Sequence, residues 1–175
     1  LQVLTGSATQ AGVISQAGGA RPLQKTGAGT LILTGSNTYT GATSVNAGTL
    51  HVTGSIASSA VSVSSGATLS GTGTVGSLSV ASGGVLIPGA NPGPGTLTVN
   101  GNLTLASGST TVDYFTPSAN GLTSVTGSAV APGTSANQAI LFINPGPACA
   151  IIFRFCTKSN MLVIRQSFQT IIPCY

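Results

Sequence analysis

The chain is 175 residues long, 41% hydrophobic and only 3% charged, which allows one domain with a real core but departs from the roughly one-quarter charged content of an ordinary soluble protein. Its net charge of +4 is no nucleic-acid signal: Arg21, Lys25 and Asp113 leave residues 1–147 at +1 and the rest sits in Arg154, Lys158 and Arg165, whereas phosphate binding needs a clustered basic face, often with aromatic platforms. A single acidic side chain excludes paired-acid glycoside hydrolysis, carboxylate-rich calcium sites and two-metal chemistry on count alone.

The opening, Leu1-Gln-Val-Leu-Thr-Gly-Ser7, has no basic segment and no long apolar run. No signal peptide is visible, and the missing initiator Met points to a fragment whose targeting segment lies upstream. No run reaches the roughly 20 apolar residues of a membrane helix. From Lys25 to Leu50 the chain then closes on the tripeptide that opens its own core. Gly29-Thr30-Leu31 returns as Gly48-Thr49-Leu50, loosely as Ala67-Thr68-Leu69 and Gly84-Val85-Leu86, and again as Gly95-Thr96-Leu97. Leu31, Leu50, Leu69 and Leu86 fall at near-equal intervals, each of a length that suits one turn of a three-sided solenoid. The shorter step from Leu86 to Leu97 does not reach a full turn and implies a skipped face.

Within each unit apolar residues alternate: Leu31 and Leu33 flank Ile32, Leu50 and Val52 flank His51, Leu78 and Val80 flank Ser79, Leu97 and Val99 flank Thr98. That period of two predicts half-buried strands. Gly and β-branched Thr and Val break every window that could form a helix. Turns are expected at Thr26–Gly29, Asn46–Gly48, Ser65-Gly66, Ser82–Gly84 and Asn100-Gly101, with a ladder-breaking corner at Asn91-Pro-Gly-Pro-Gly95. One unit buries too few aliphatics to offset the ordering of its backbone, so the repeat must be an array. The expected fold is an all-β parallel β-helix with three-sided rungs of about 17–20 residues. It should span roughly Gly12 to Val130, with Leu31, Leu50 and Leu69 in one interior column.

Composition breaks after Pro147. No glycine follows Gly146, while Cys149, Cys156 and Cys174, the only Met and three of the five Phe all lie beyond Pro147. The division expected is a β-helix over 1–147 and an atypical apolar tail over 148–175. The tail reads either as an end cap or as sequence foreign to the fold, and its lack of a polar outer face favours the second.

The Lys25–Leu50 block resembles the strand repeat of bacterial autotransporter passenger domains, and the likeness extends over about residues 12–130. Gly12–Ser15 looks like a strand closing one repeat. Pro88–Gly101 resembles the proline-glycine segment near the passenger's membrane-proximal end, and Leu122–Gly127 the strand that follows it. The resemblance implies a right-handed parallel β-helix, exported through a C-terminal outer-membrane β-barrel and serving in adhesion at the cell surface. Arg21–Gln24 interrupts the approach to Lys25, and the tail after Pro147 is too short to provide the strands of a barrel.

Candidate chemistry is sparse. Asp113, the only carboxylate side chain, is expected on an outward strand face, and His51, also alone, at an outward position beside Leu50 and Val52. Gly71-Thr-Gly-Thr-Val-Gly76 matches a dinucleotide fingerprint by letter but lacks a following helix and an acidic residue about 20 positions on. Asn102-Leu-Thr104 is a glycosylation sequon of meaning only in a eukaryotic secretory route. Tyr39 reads as a loop anchor. No catalytic residue, metal ligand or cofactor is assigned, and the chain is expected not to be an enzyme. The function expected is a structural or adhesive stalk fragment, displayed at or released from the bacterial surface. Its partners would be the missing barrel, a host or surface receptor and, through exposed strand edges, a second copy end to end. The alternative is a Thr-rich solenoid binding ice or carbohydrate. It is motivated by Thr38/Thr40, Thr72/Thr74 and Thr96/Thr98, whose separations along the chain look too irregular for a ladder at one strand spacing of about 4.8 Å.

Overall fold

In the computed structural model, residues 1–90, 93–116, 119–130, 140–143 and 152–153 are described. They form a β-solenoid of three sheets with nine, six and four strands. The chain visits the sheets in the fixed order first, third, second. In the opening turns β1 (Ser7–Gln10) and β3 (Thr30–Leu33) belong to the first sheet, and β2 (Leu23–Lys25) and β4 (Thr43–Val45) to the second. Full rungs follow: β5 (Gly48–Val52), β6 (Ser55–Ile56) and β7 (Val61–Val63); β8 (Ala67–Gly71), β9 (Thr74–Val75) and β10 (Leu78–Val80); β11 (Val85–Pro88), β12 (Thr96–Val99) and β13 (Leu103–Leu105). The next rung is β14 (Thr110–Thr116), β16 (Leu122–Val125) and β17 (Ala129–Val130), and β18 (Ile140–Ile143) pairs onto β14. All these pairings are parallel. The antiparallel strand pairs lie at one end, where β15 (Ala119–Asn120) folds back on β14 and β19 (Ile152–Phe153) on β18, and an isolated antiparallel bridge joins Gly71 to Gly89.

The interior is built from columns. Leu31, Leu50, Leu69 and Leu86 are successive register partners in the first sheet and all are buried. Val45, Val63 and Val80 stack in the second sheet, and Ile56, Val75 and Val99 in the third. All six are buried. Side chains alternate across each strand, so every second residue joins one continuous core from Val3 to Leu103. The glycines sit where rungs touch. Gly71 has φ +130°, and a Cβ there would collide with the carbonyl oxygen of Val52 on the rung before, so no larger residue fits without moving backbone.

Five expectations need correction. Rungs are not uniform in length: Thr30 pairs with Thr49, Thr49 with Thr68 and Thr68 with Val85, as the expected interval requires, but Ser7 pairs with Thr30 and Val85 with Thr110, both longer steps. Extra length is placed in corners, which leave the ladder unchanged. No face is skipped at Leu97. It lies in β12 on the third sheet, while the partner of Leu86 is Thr111, so the short step carries the chain from one face to the next. The ladder also exceeds 12–130, beginning at β1 and reaching β18. Arg21–Gln24 does not interrupt it, since Leu23 and Gln24 already pair with Thr43 and Ser44. Gly12–Ser15 is not a strand, although Thr38 N donates to Ile14 O. The division at residue 147 and the character of 148–175 fall outside the described residues, apart from the pairing of β19.

Candidate functional site: polar staples and hydroxyl faces

Polar side chains take over where the ladder leaves backbone groups unpaired. Lys25 shares an inward column with Val45, Val63 and Val80 and is fully buried. Its stem fills the core, while Nζ donates to the carbonyls of Thr26, Gly27 and Ala47 at 3.0, 2.7 and 3.0 Å. All three ammonium donors are thereby used. Burial pushes its pKa below the ordinary lysine value. Asn37 ties three turns together: its Nδ2 donates to Gly35 O and Ser55 O, and its Oδ1 accepts from Ile14 N. Buried Tyr39 occupies the corner between Asn37 and β4, its hydroxyl 2.7 Å from Thr43 Oγ1, which lies 2.7 Å from Ser59 Oγ. Ser59 donates on to Gly41 O. The loop-anchor role expected for Tyr39 is visible in this chain of bonds. Its pKa is raised by burial, with the Thr43 and Ser59 hydrogen bonds opposing.

His51 does lie at an outward position, half-buried, with Nδ1 2.8 Å from the hydroxyl of Ser70, its register partner on the next rung. Burial lowers its pKa. The Ser70 partnership was not foreseen, although Leu50 and Leu69 in one column place His51 beside Ser70. Asp113 is a correction. Thr111 extends the interior leucine column through its pairing with Leu86, so by alternation Asp113, two positions on, takes the interior phase and not the outward one. Burial raises its carboxyl to about 6. Thr111 and Thr123 hold buried hydroxyls without a hydrogen-bond partner, and Thr123 follows Leu97 in the third sheet. Asp113 is therefore three strands from His51, roughly 14 Å, and on the opposite side of the sheet, so the two do not form a catalytic pair. Gly71–Gly76 runs from one strand into β9, so the helix that a dinucleotide fold requires is replaced by a strand.

The outward faces of the second and third sheets are hydroxyl ladders, unlike that of the first, where Ile32, His51, Ser70 and Ile87 are successive partners. On the second sheet Ser44, Ser62, Ser79 and Thr104 are successive partners, beside a shallow cleft of about 290 Å³ lined in part by Ser77 and Asn102. On the third sheet Ser36, Ser55, Thr74, Thr98 and Ser124 are successive partners. The judgement that the Thr pairs are too irregularly spaced is thus wrong for one member of each of two pairs, Thr74 and Thr98. Thr74 and Thr98 are separated in sequence by more than one regular repeat yet are adjacent in the ladder, because the segment between Pro88 and Thr96 absorbs the surplus. No described residue forms a cluster of His, Cys, Asp and Glu able to hold a metal.

The model of the passenger-associated-transport-repeat matches residues 23–52. No curated protein matches the chain. The matched segment begins with β2, whose Lys25 is the ammonium staple, passes Asn37 and Tyr39, and ends with β5. It thus covers one full turn of the solenoid and the strands that pair onto the next. The segment from Leu23 to Val52 is an autotransporter passenger repeat.

Proposed function

We propose that the chain is a structural, non-enzymatic stalk segment of an autotransporter passenger, displayed at or released from a bacterial surface through the outer-membrane β-barrel of its parent protein. One observation carries the reading: the passenger repeat coincides with a full turn of a ladder that continues on both sides of it. A rung stacked on a rung extends by about 4.8 Å each time, and a stalk needs such one-dimensional growth. The separation of His51 from Asp113, the sole histidine and sole acidic side chain, supports a non-enzymatic role. An adhesive contribution would draw on the neutral hydroxyl faces. End-to-end association would draw on the first rung, where Leu1, Leu4 and Val13 are exposed beside the edge of β1, which is the terminal strand of its sheet among the described residues.

The test is to place the chain, epitope-tagged at Leu1, between a secretion signal and an autotransporter barrel in a Gram-negative host. The tag should become accessible to protease added to intact cells. A tag that remains protected while a known passenger in the same vector is exposed would overturn the export reading. Hydrolysis of polysaccharide or ester substrates that survives both His51→Ala and Asp113→Ala would overturn the non-enzymatic one.

A further inference from the structure

We propose that the third sheet of this solenoid is an ice-binding face, its ligand the ordered water at the surface of an ice crystal. The proposal does not depend on export or on the parent protein.

The warrant is a column of neutral hydroxyls in register, flanked by a row of exposed threonines. Four successive rungs carry the triplets Thr34-Gly35-Ser36, Thr53-Gly54-Ser55, Thr72-Gly73-Thr74 and Thr96-Leu97-Thr98. The last residue of each stacks on the last residue of the next. Backbone bonds hold that stacking in place: Ser55 N donates to Gly35 O, Thr74 N to Gly54 O and Thr98 N to Gly73 O, all between 2.9 and 3.1 Å. The first residue of every triplet is exposed. Along the paired column Ser36, Ser55, Thr74 and Thr98 hydroxyls therefore repeat at about 4.8 Å from rung to rung, and the threonines that open the triplets lie beside that column, three of them in the corner that leads into it. Between that column and these threonines no side chain stands proud: Leu97 is buried, and a Cβ at Gly54 or Gly73 would run into the backbone of the rung before.

The chemistry selects the occupant. No triplet contains an ionisable group, so nothing on this face complements a nucleic acid, an acidic peptide or a charged lipid surface. None contains an aromatic ring on which a sugar could stack. Each hydroxyl both donates and accepts, which complements a neutral lattice of water molecules, and each threonine adds a methyl. The ladder fixes these groups before contact, so little ordering entropy opposes binding. The second sheet is an internal control, because its Ser44, Ser62 and Ser79 repeat at the same rung spacing with hydroxyls but no methyls.

The experiment measures inhibition of ice recrystallisation by the full chain and by two double variants, with circular dichroism of each. The unaltered chain should inhibit. Thr72→Lys with Thr96→Lys should raise the concentration needed by about tenfold or more, the equivalent of about 1.4 kcal/mol, while Ser62→Lys with Ser79→Lys should leave it unchanged. If the first lysine pair disturbs the ladder, Thr72→Ser with Thr96→Ser removes only methyls and should still weaken inhibition. Absence of inhibition by the unaltered chain, equal losses from both lysine pairs, or a loss of binding to an insoluble neutral polysaccharide with ice activity untouched would each overturn the assignment.

Discussion

The rungs between β3 and β11 and the rung that begins with β14 share one backbone plan but have different interiors. In the first region the leading column is Leu31, Leu50, Leu69 and Leu86, all buried. One rung later the corresponding position is Thr111, the neighbour of Leu97 is Thr123, and Asp113 takes the interior phase. Parallel pairing survives that exchange because ladder bonds run between backbones and are indifferent to which side chain points inward. What changes is the energetic margin. A leucine contributes about 1.5–3 kcal/mol on burial, whereas a buried hydroxyl without a partner costs about 1–3 kcal/mol. The central rungs should therefore be the stable unit, with the β14 rung added at lower cooperativity.

The strongest way to break the comparison is to make the centre resemble the end. Leu50→Asp puts an unpaired carboxylate in the middle of the leucine column and should cost several kcal/mol, enough to unfold the central rungs. Urea denaturation followed by circular dichroism reads this out, and an unchanged midpoint would mean that Leu50 faces water. The next effect is on pH. Asp113 has a folded pKa of about 6 against 3.8 for the free side chain, so the folded state binds its proton more tightly. Stability is then highest below about pH 4, falls as pH rises through the window from about 4 to 6, and stays lower above it, by up to about 3 kcal/mol. Asp113→Asn should flatten that dependence in denaturation profiles taken from pH 4 to 7. A dependence that persists would assign it to other groups.

Lys25→Met keeps the aliphatic stem in the valine column but leaves the carbonyls of Thr26, Gly27 and Ala47 without their shared donor. A loss of about 1–3 kcal/mol is expected, together with faster amide exchange at the Thr26–Gly29 corner. Normal exchange there would show that water replaces the ammonium at no cost. The smallest effect has the opposite sign. Thr111→Val removes an orphan hydroxyl at nearly constant volume and should stabilise the β14 rung by about 1 kcal/mol, visible as a raised midpoint in thermal melts. If the midpoint falls, Thr111 Oγ1 has a partner and the interior of that rung is not underpaired.

The amino-acid sequence by itself determined the strand class, the interior register of Leu31, Leu50 and Leu69, and the outward phase of His51. All follow from a period of two within strands and a near-constant repeat between them. It also placed the passenger repeat, because glycine corners and hydroxyl-rich strands leave their order in the text. Only the tertiary structure decided what depends on corner length. Leu97 belongs to a different sheet from Leu86, and Thr74 and Thr98 are neighbours, because the segment after Pro88 absorbs residues that counting along the chain would assign to the ladder. The same holds for Asp113, whose own alternation with Val112 and Tyr114 leaves its phase undefined until Thr111 is paired with Leu86. The Lys25 staple was equally invisible in one dimension, since its acceptors come from a corner and from the following turn. Local alternation is written in single strands, but which strand lies beside which is set by stacking, and stacking tolerates corners of any length.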